Sequence, residues 1–154
     1  MFLGQYHHTL DSKDRLTVPA KYRELLDEGA YVMQGLDKNL MVLTEAAFQV
    51  VYKRITQMSI TDPLARDLRR LIFSTAAQAE IDKSGRILLQ KFLRDLVGLG
   101  SEVILVGQGD YIEIWSPDEW QKRMSRIQDT EANAQRYAAL DLTTGLPDAG
   151  LEAP

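Results

Sequence analysis

A seven-residue phrase occurs twice in this chain. Leu10-Asp11-Ser12-Lys13-Asp14-Arg15-Leu16 returns 71 positions later as Ile81-Asp82-Lys83-Ser84-Gly85-Arg86-Ile87. The correspondence runs on, because Arg23-Glu24-Leu25 matches Arg94-Asp95-Leu96 and Gly29 matches Gly100. A repeat of this length means two copies of one supersecondary unit. Each copy, at about 45–50 residues, is too small to hold a robust core alone, so the halves must share a core or associate. An Asp and an Arg kept at the same place in both copies need an explanation that a core residue does not.

The 154 residues are 45% hydrophobic and 26% charged, the make-up of an ordinary soluble globular protein. The chain has no cysteine, which excludes disulfides, thiolate chemistry and cysteine-type zinc sites. The start Met1-Phe2-Leu3-Gly4-Gln5-Tyr6 shows no basic segment ahead of an apolar run, so no signal peptide is expected. No apolar stretch approaches the ~20 residues of a membrane span. The net charge of −4 argues mildly against a nucleic-acid partner. Its distribution argues the other way, since segments 10–26 and 80–97 are each net +1.

Periodicity and breakers predict two similar series of short elements. In the first copy, strands over 5–10 and 15–18 flank a turn at 11–14. Pro19 opens a helix through Leu26, which Gly29 stops. Strands over 30–35 and 40–43 flank the turn Asp37-Lys38-Asn39. In the second copy, strands over 79–81 and 86–89 flank a turn at 82–85, a helix covers 91–97, and strands cover 102–106 and 111–115. Between the copies, Thr44 caps a helix with Ala47, Phe48, Val51, Ile55 and Met58 on its apolar face. Asp62-Pro63 opens another, with Leu64, Leu68, Leu71 and Ile72 on one face and Arg66, Arg69 and Arg70 on the other. Ser116-Pro117-Asp118-Glu119 is a capping box for a last helix running to Ala139. The organisation is therefore a first unit at 5–47, a helical connector at 48–76, a second unit at 77–120, a C-terminal helix at 121–140 and a disordered tail at 141–154.

The doubled Asp–Arg admits three readings. In the first it is structural: the Asp side chain bonds backbone N–H groups of a tight turn and pairs with the Arg. In the second, one Asp from each copy meets at a pseudo-dyad and shares a proton, as in an aspartic protease. A lysine in each turn opposes that, because a cation keeps both carboxylates ionised. The third is nucleic-acid binding, in which Asp11 and Asp82 shape turns that present Arg15 and Arg86 to guanine O6 and N7. Composition does not select among them. Other catalytic signals are missing. His7 and His8, the only histidines, face opposite ways on a strand and do not form a metal site together. Gly107-Gln108-Gly109 joins two strands, as a hairpin turn does, rather than a strand and a helix. No cofactor, metal or enzymatic activity is expected.

Asp11-Ser-Lys-Asp-Arg15-Leu-Thr-Val-Pro19 and Asp82-Lys-Ser-Gly-Arg86-Ile-Leu resemble the paired Asp-x-x-x-Arg motifs of the MraZ family of bacterial transcriptional regulators. Met1-Phe2-Leu3-Gly4, Arg66-Asp-Leu-Arg-Arg-Leu-Ile-Phe73, Val103-Ile-Leu-Val-Gly-Gln108 and Glu113-Ile-Trp115 are similar as well, so the likeness covers about residues 1–135. It implies an α+β fold of two pseudo-symmetric swapped-hairpin units of SpoVT-AbrB type, with a small β-barrel core and flanking helices. It also implies a ring-like homo-oligomer in the cytoplasm and nucleoid that binds double-stranded DNA. The target it implies is a set of direct repeats in the promoter of the chain's own division and cell-wall gene cluster, under negative regulation. Carried over, Arg15 and Arg86 are the principal DNA contacts, Lys13 and Lys83 lie on the same turns, and Asp11, Asp82, Asp14 and Gly85 shape them. Asp14 stands where the family pattern has Gly, placing a negative charge beside Arg15. Gln90 stands where it often has Pro, which leaves the second helix entry less rigidly fixed. The alternative is a ring-forming structural protein whose Asp–Arg turns mediate assembly.

Overall fold

The structure is a computed structural model that describes residues 1–140 and residue 142. Apart from Leu142, the tail expected over 141–154 lies outside the described residues. In chain order the elements are β1 (Gln5–Thr9), β2 (Arg15–Thr17), α1 (Ala20–Arg23) with a 3-10 turn at Glu24–Leu26, β3 (Ala30–Gln34) and β4 (Leu40–Thr44). Two helices follow, α2 (Glu45–Thr56) and α3 (Pro63–Thr75). The second series is β5 (Ala77–Ala79), β6 (Arg86–Leu88), α4 (Lys91–Val97), β7 (Glu102–Gly107) and β8 (Tyr111–Trp115). The last helices are α5 (Pro117–Ile127) and α6 (Thr130–Arg136), with a 3-10 turn at Ala138–Leu140. The fold is α+β and carries the same strand–strand–helix–strand–strand series twice.

The two copies interleave. A six-stranded sheet has the order β1-β7-β8-β4-β3-β5, and β2 and β6 form a separate two-stranded ribbon. The first strand of each copy thus pairs with the other copy, β1 with β7 and β5 with β3. The copies also meet at β4–β8 and β2–β6, all antiparallel. In the ribbon Leu16 lies opposite Ile87, its own repeat counterpart, which places the pseudo-two-fold axis between them. The barrel is not closed, because β1 and β5 remain as the two edges of the sheet.

One core unites both copies. Leu16, Val18, Tyr22 and Leu26 pack with Ile87, Leu89, Leu93 and Val97 against Val32, Val42, Val103, Leu105, Ile112 and Ile114 on one face of the sheet. The other face carries Met33 and Leu43 beneath Ile55 of α2 and Ile72 of α3, and Ile104, Val106 and Trp115 beneath Trp120. Thr44 caps α2 by accepting from the Ala47 N–H at 3.0 Å, and Asp62 caps α3 by accepting from the Leu64 N–H at 2.9 Å. Ser116 caps α5, its Oγ accepting from the Glu119 N–H at 3.2 Å.

Three local expectations change. The strand expected over 79–81 lies at 77–79. Its partner β3 begins at Ala30, opposite Ala79, after Gly29 has turned the chain away at φ +120°. Glu80 and Ile81 therefore leave the sheet, and a cleft of about 450 Å³ opens beside them. Leu64 does not join the apolar face of α3. It is 77% exposed, because the buried stripe passes through Ala65, Ile72 and Thr75 instead. Gln90 takes nearly the backbone of Pro19 at the helix entry, with φ −62° and ψ 142° against φ −51° and ψ 138°. Finally, the single last helix is broken. The chain divides into two compact units, Met1–Trp120 and the residues from Gln121 on. Within the second, the Asp129 carboxylate accepts from the N–H groups of Glu131 and Ala132 and starts α6 afresh. Asn133 Nδ2 closes that corner by donating to the Ile127 carbonyl.

Candidate nucleic-acid interface

The two Asp–Arg turns are built alike, bond for bond. Asp11 Oδ1 accepts from the N–H groups of Lys13 and Arg15, each at 2.9 Å, and Oδ2 accepts from Arg15 Nε at 2.7 Å. Asp82 Oδ1 accepts from Ser84 and Arg86 N–H, and Oδ2 from Arg86 Nε, all at 2.9 Å. Backbone bonds close each turn: Asp11 N–H to Arg15 O and Asp14 N–H to Asp11 O, matched by Asp82 N–H to Arg86 O and Gly85 N–H to Asp82 O. Asp needs its short side chain here, because only that length reaches backbone donors two and four residues on. The Arg15 N–H is the main influence holding the Asp11 carboxyl below the usual carboxylate range, with burial opposing it and the guanidinium assisting. Asp82 is lowered in the same way by the Arg86 N–H. Both carboxylates are therefore ionised at neutral pH, the opposite of a dyad sharing one proton.

The fourth turn position needs a left-handed backbone. Asp14 adopts it at φ 60° and Gly85 at φ 76°. Asp is among the few residues that accept this conformation, so the departure from Gly is tolerated. The charge of Asp14 is directed differently from the sequence expectation. Its Oδ2 accepts from Arg94 Nη2 of the other copy at 3.0 Å. The counterpart Arg23 instead lies over Gly85, where an added Cβ would come within 2.3 Å of the guanidinium carbon. Arg23 and Arg94 also donate through Nε to the carbonyls of Val18 and Leu89, at 3.0 and 3.1 Å. These two arginines brace the ribbon from behind. Their spacing was visible in the repeat, but nothing local marked them as supports for the turns.

Strand alternation decides what the ribbon shows. Leu16 and Ile87 point into the core and are each 1% exposed. The outward positions are Arg15 opposite Leu88 and Thr17 opposite Arg86. The side chains of Arg15 and Arg86 are each 29% accessible, covered in part by their own Asp partners. Arg86 Nη1 also reaches Asp11 Oδ2 at 3.6 Å, tying the two turns together across the pseudo-dyad. Lys13 and Lys83 are exposed at the tips of the turns. All the residues expected at the site thus fall on this ribbon and its two turns. Sequence reasoning missed Thr17 and Leu88, which complete its outer face. His7 and His8 lie apart on β1, facing opposite ways as expected, with burial pushing the His8 imidazole down. Among the described residues no His, Asp and Glu cluster could hold a metal ion.

The family model described as "MraZ protein, putative antitoxin-like" matches residues 1–71 and again 72–142, one match for each copy. The chain belongs to the MraZ family. A relative named Transcriptional regulator MraZ from Roseiflexus sp. (strain RS-1) is 38% identical over 138 residues, covering 90% of this chain and 94% of its own. The protein of the same name from Herpetosiphon aurantiacus is 40% identical over 129 residues, covering 84% and 90%. That from Carboxydothermus hydrogenoformans is 42% identical over 120 residues, covering 78% and 84%. These MraZ relatives are named for regulation of transcription and not for a catalytic activity. Among the described residues, no helix is long and apolar enough to cross a membrane.

Proposed function

We propose that this chain regulates transcription by binding double-stranded DNA through the β2–β6 ribbon. One observation carries the reading: two arginines, each fixed by a bonded carboxylate, stand on one outward face between two exposed lysine-bearing turns. A two-stranded antiparallel ribbon has the width that the major groove of B-DNA admits. Arg15 and Arg86 then read guanine edges, each bidentate contact being worth about 1–3 kcal/mol. Lys13 and Lys83 meet phosphates at either side, which sets register and salt dependence. Asp11 and Asp82 do not contact DNA; they aim the arginines and reduce the conformational freedom lost on binding.

The acidic net charge of −4 is reconciled by assembly. Several copies in a ring-like homo-oligomer present their ribbons together, and repeats at matching spacing raise the affinity by ~10²–10⁴ over a single contact. The targets are direct repeats in the promoter of its own division and cell-wall gene cluster. Occupation of that promoter obstructs transcription, which makes the chain a negative regulator acting at the nucleoid. The alternative, in which Asp–Arg pairs join subunits, is less well supported because the Asp–Arg contacts close within one chain.

Gel shifts with a duplex spanning the region upstream of the chain's own gene test this reading. Arg15→Ala and Arg86→Ala should each weaken binding by about 5- to 150-fold, the equivalent of one lost bidentate contact. Lys83→Ala should lower the salt slope by about one unit with little change in sequence preference. Parental binding by both arginine variants would refute the assigned surface.

A further inference from the structure

The outer face of the ribbon is not symmetric. Arg15 and Arg86 occupy one diagonal and exchange under the pseudo-dyad, whereas the other diagonal holds Thr17 and Leu88. Leu88 is 55% exposed, although Ile87 and Leu89 on either side are 1% and 0% exposed. Leu88 borders a cleft of about 300 Å³ together with Val32 and Leu93, yet more than half of it stays open opposite Arg15. Its place beside Arg15 gives it another use.

We propose that Leu88 reads the C5-methyl of a thymine adjacent to the base contacted by Arg15, and that Thr17 gives the Arg86 half of the ribbon no equivalent apolar contact. The inference rests on the ribbon being the DNA surface. Directly opposite strand residues have Cβ atoms about 4.5–5.5 Å apart, and successive bases rise 3.4 Å. Cross-strand neighbours on the ribbon therefore reach neighbouring base pairs. In the major groove only thymine offers a methyl group, and an apolar side chain is what recognises it. The Arg15–Leu88 half thus specifies a guanine next to a thymine, and the Arg86–Thr17 half specifies its guanine with less demand on the neighbour. Each ribbon lies on its site in one direction, and the unit site is not a palindrome.

The experiment uses the full chain. A duplex is selected from a randomised pool, and each thymine of the selected sequence is then replaced by deoxyuridine, which removes the methyl alone. One replacement, next to a guanine, should weaken binding about fourfold, the value of one buried methyl group. Leu88→Ser should bind the thymine duplex about fourfold more weakly and show no further loss with deoxyuridine, while the guanine preference survives. Unchanged binding by the parent to every deoxyuridine duplex would overturn the proposal. So would a Leu88→Ser protein that keeps the full thymine preference, or one that elutes as a smaller species, which would place Leu88 against a second copy. If no sequence is enriched at all, the DNA reading itself fails, and that result is distinct from the loss of methyl recognition alone.

Discussion

Asp14 shows how much one side chain alters a repeated site. Its counterpart is Gly85, and both sit in the left-handed region that the turn demands. The carboxylate of Asp14 occupies Arg94, whereas Arg23 in the equivalent place lies over a bare glycine. The first turn is therefore electrostatically quieter than the second. Asp14→Gly removes a negative charge from the turn that carries Lys13 and Arg15 and frees the Arg94 Nη2. It also trades a left-handed Asp for Gly, so the stability gained in the backbone roughly offsets the lost ion pair, which as a partly exposed contact is worth at most about 1 kcal/mol. The expected result is a several-fold gain in DNA affinity with a steeper salt dependence, measured by anisotropy titrations at several salt concentrations. A weaker complex would mean that Asp14 holds the turn in a way Gly cannot. The Asp–Arg spacing and the left-handed position were legible in the sequence. The destination of the Asp14 carboxylate was not, because Arg94 lies eighty residues away and only the strand interleaving brings it near.

The elements were legible where local chemistry decides them and obscure where partners do. Thr44, Asp62 and Ser116 cap the helices that their spacing predicts. The strand at β5 was misplaced because its ends are set by β3, not by its own residues. The break before α6 depends on one cap, Asp129, which a helical pattern conceals. A buried polar network also escaped sequence reading. Glu113 on β8 is 8% exposed. Its Oε2 accepts from Asn39 Nδ2 at 2.6 Å, and its Oε1 from Gln108 Nε2 at 2.7 Å and Trp115 Nε1 at 3.2 Å. Asn39 belongs to the first copy, so this carboxylate joins the hairpin β3–β4 to β7–β8. Glu113→Ala takes the acceptor from the Asn39 amide, which is 1% exposed, at a cost of about 1–3 kcal/mol for that buried donor. Urea denaturation should show a loss of that order. A change within about 0.5 kcal/mol, the range of an ordinary surface substitution, would mean that water replaces the carboxylate without cost.

At the scale of the molecule, the repeat turns out to be an exchange of strands and not a tandem of two domains. β1 belongs by sequence to the first copy and by hydrogen bonding to the second, and β5 does the reverse. A fragment of residues 72–140 lacks its β1, β2, β3 and β4 partners and exposes Ile87, Leu93 and Val103, which lie in the shared core. Such a fragment should be unfolded as a monomer, or should fold only as a dimer in which a second β5–β8 set replaces the first copy. Sedimentation with circular dichroism distinguishes these from an independently folded monomer, which would contradict the shared-core account. The repeat predicted two units with a shared core or an association, and the family resemblance implied the swapped hairpins. That the barrel stays open, with β1 and β5 as edges, depends on long-range pairing alone.

The same interleaving builds the proposed reading surface, since neither copy has an outer face without the opposite strand of the ribbon. The most direct test is a full-chain variant carrying Arg15→Ala and Arg86→Ala together, titrated with the upstream duplex and a scrambled one. Its circular dichroism and elution volume should equal those of the parent. The account predicts that it loses discrimination between the two duplexes. A variant that still prefers the upstream duplex as strongly as the parent would show that the β2–β6 ribbon is not the surface that reads DNA.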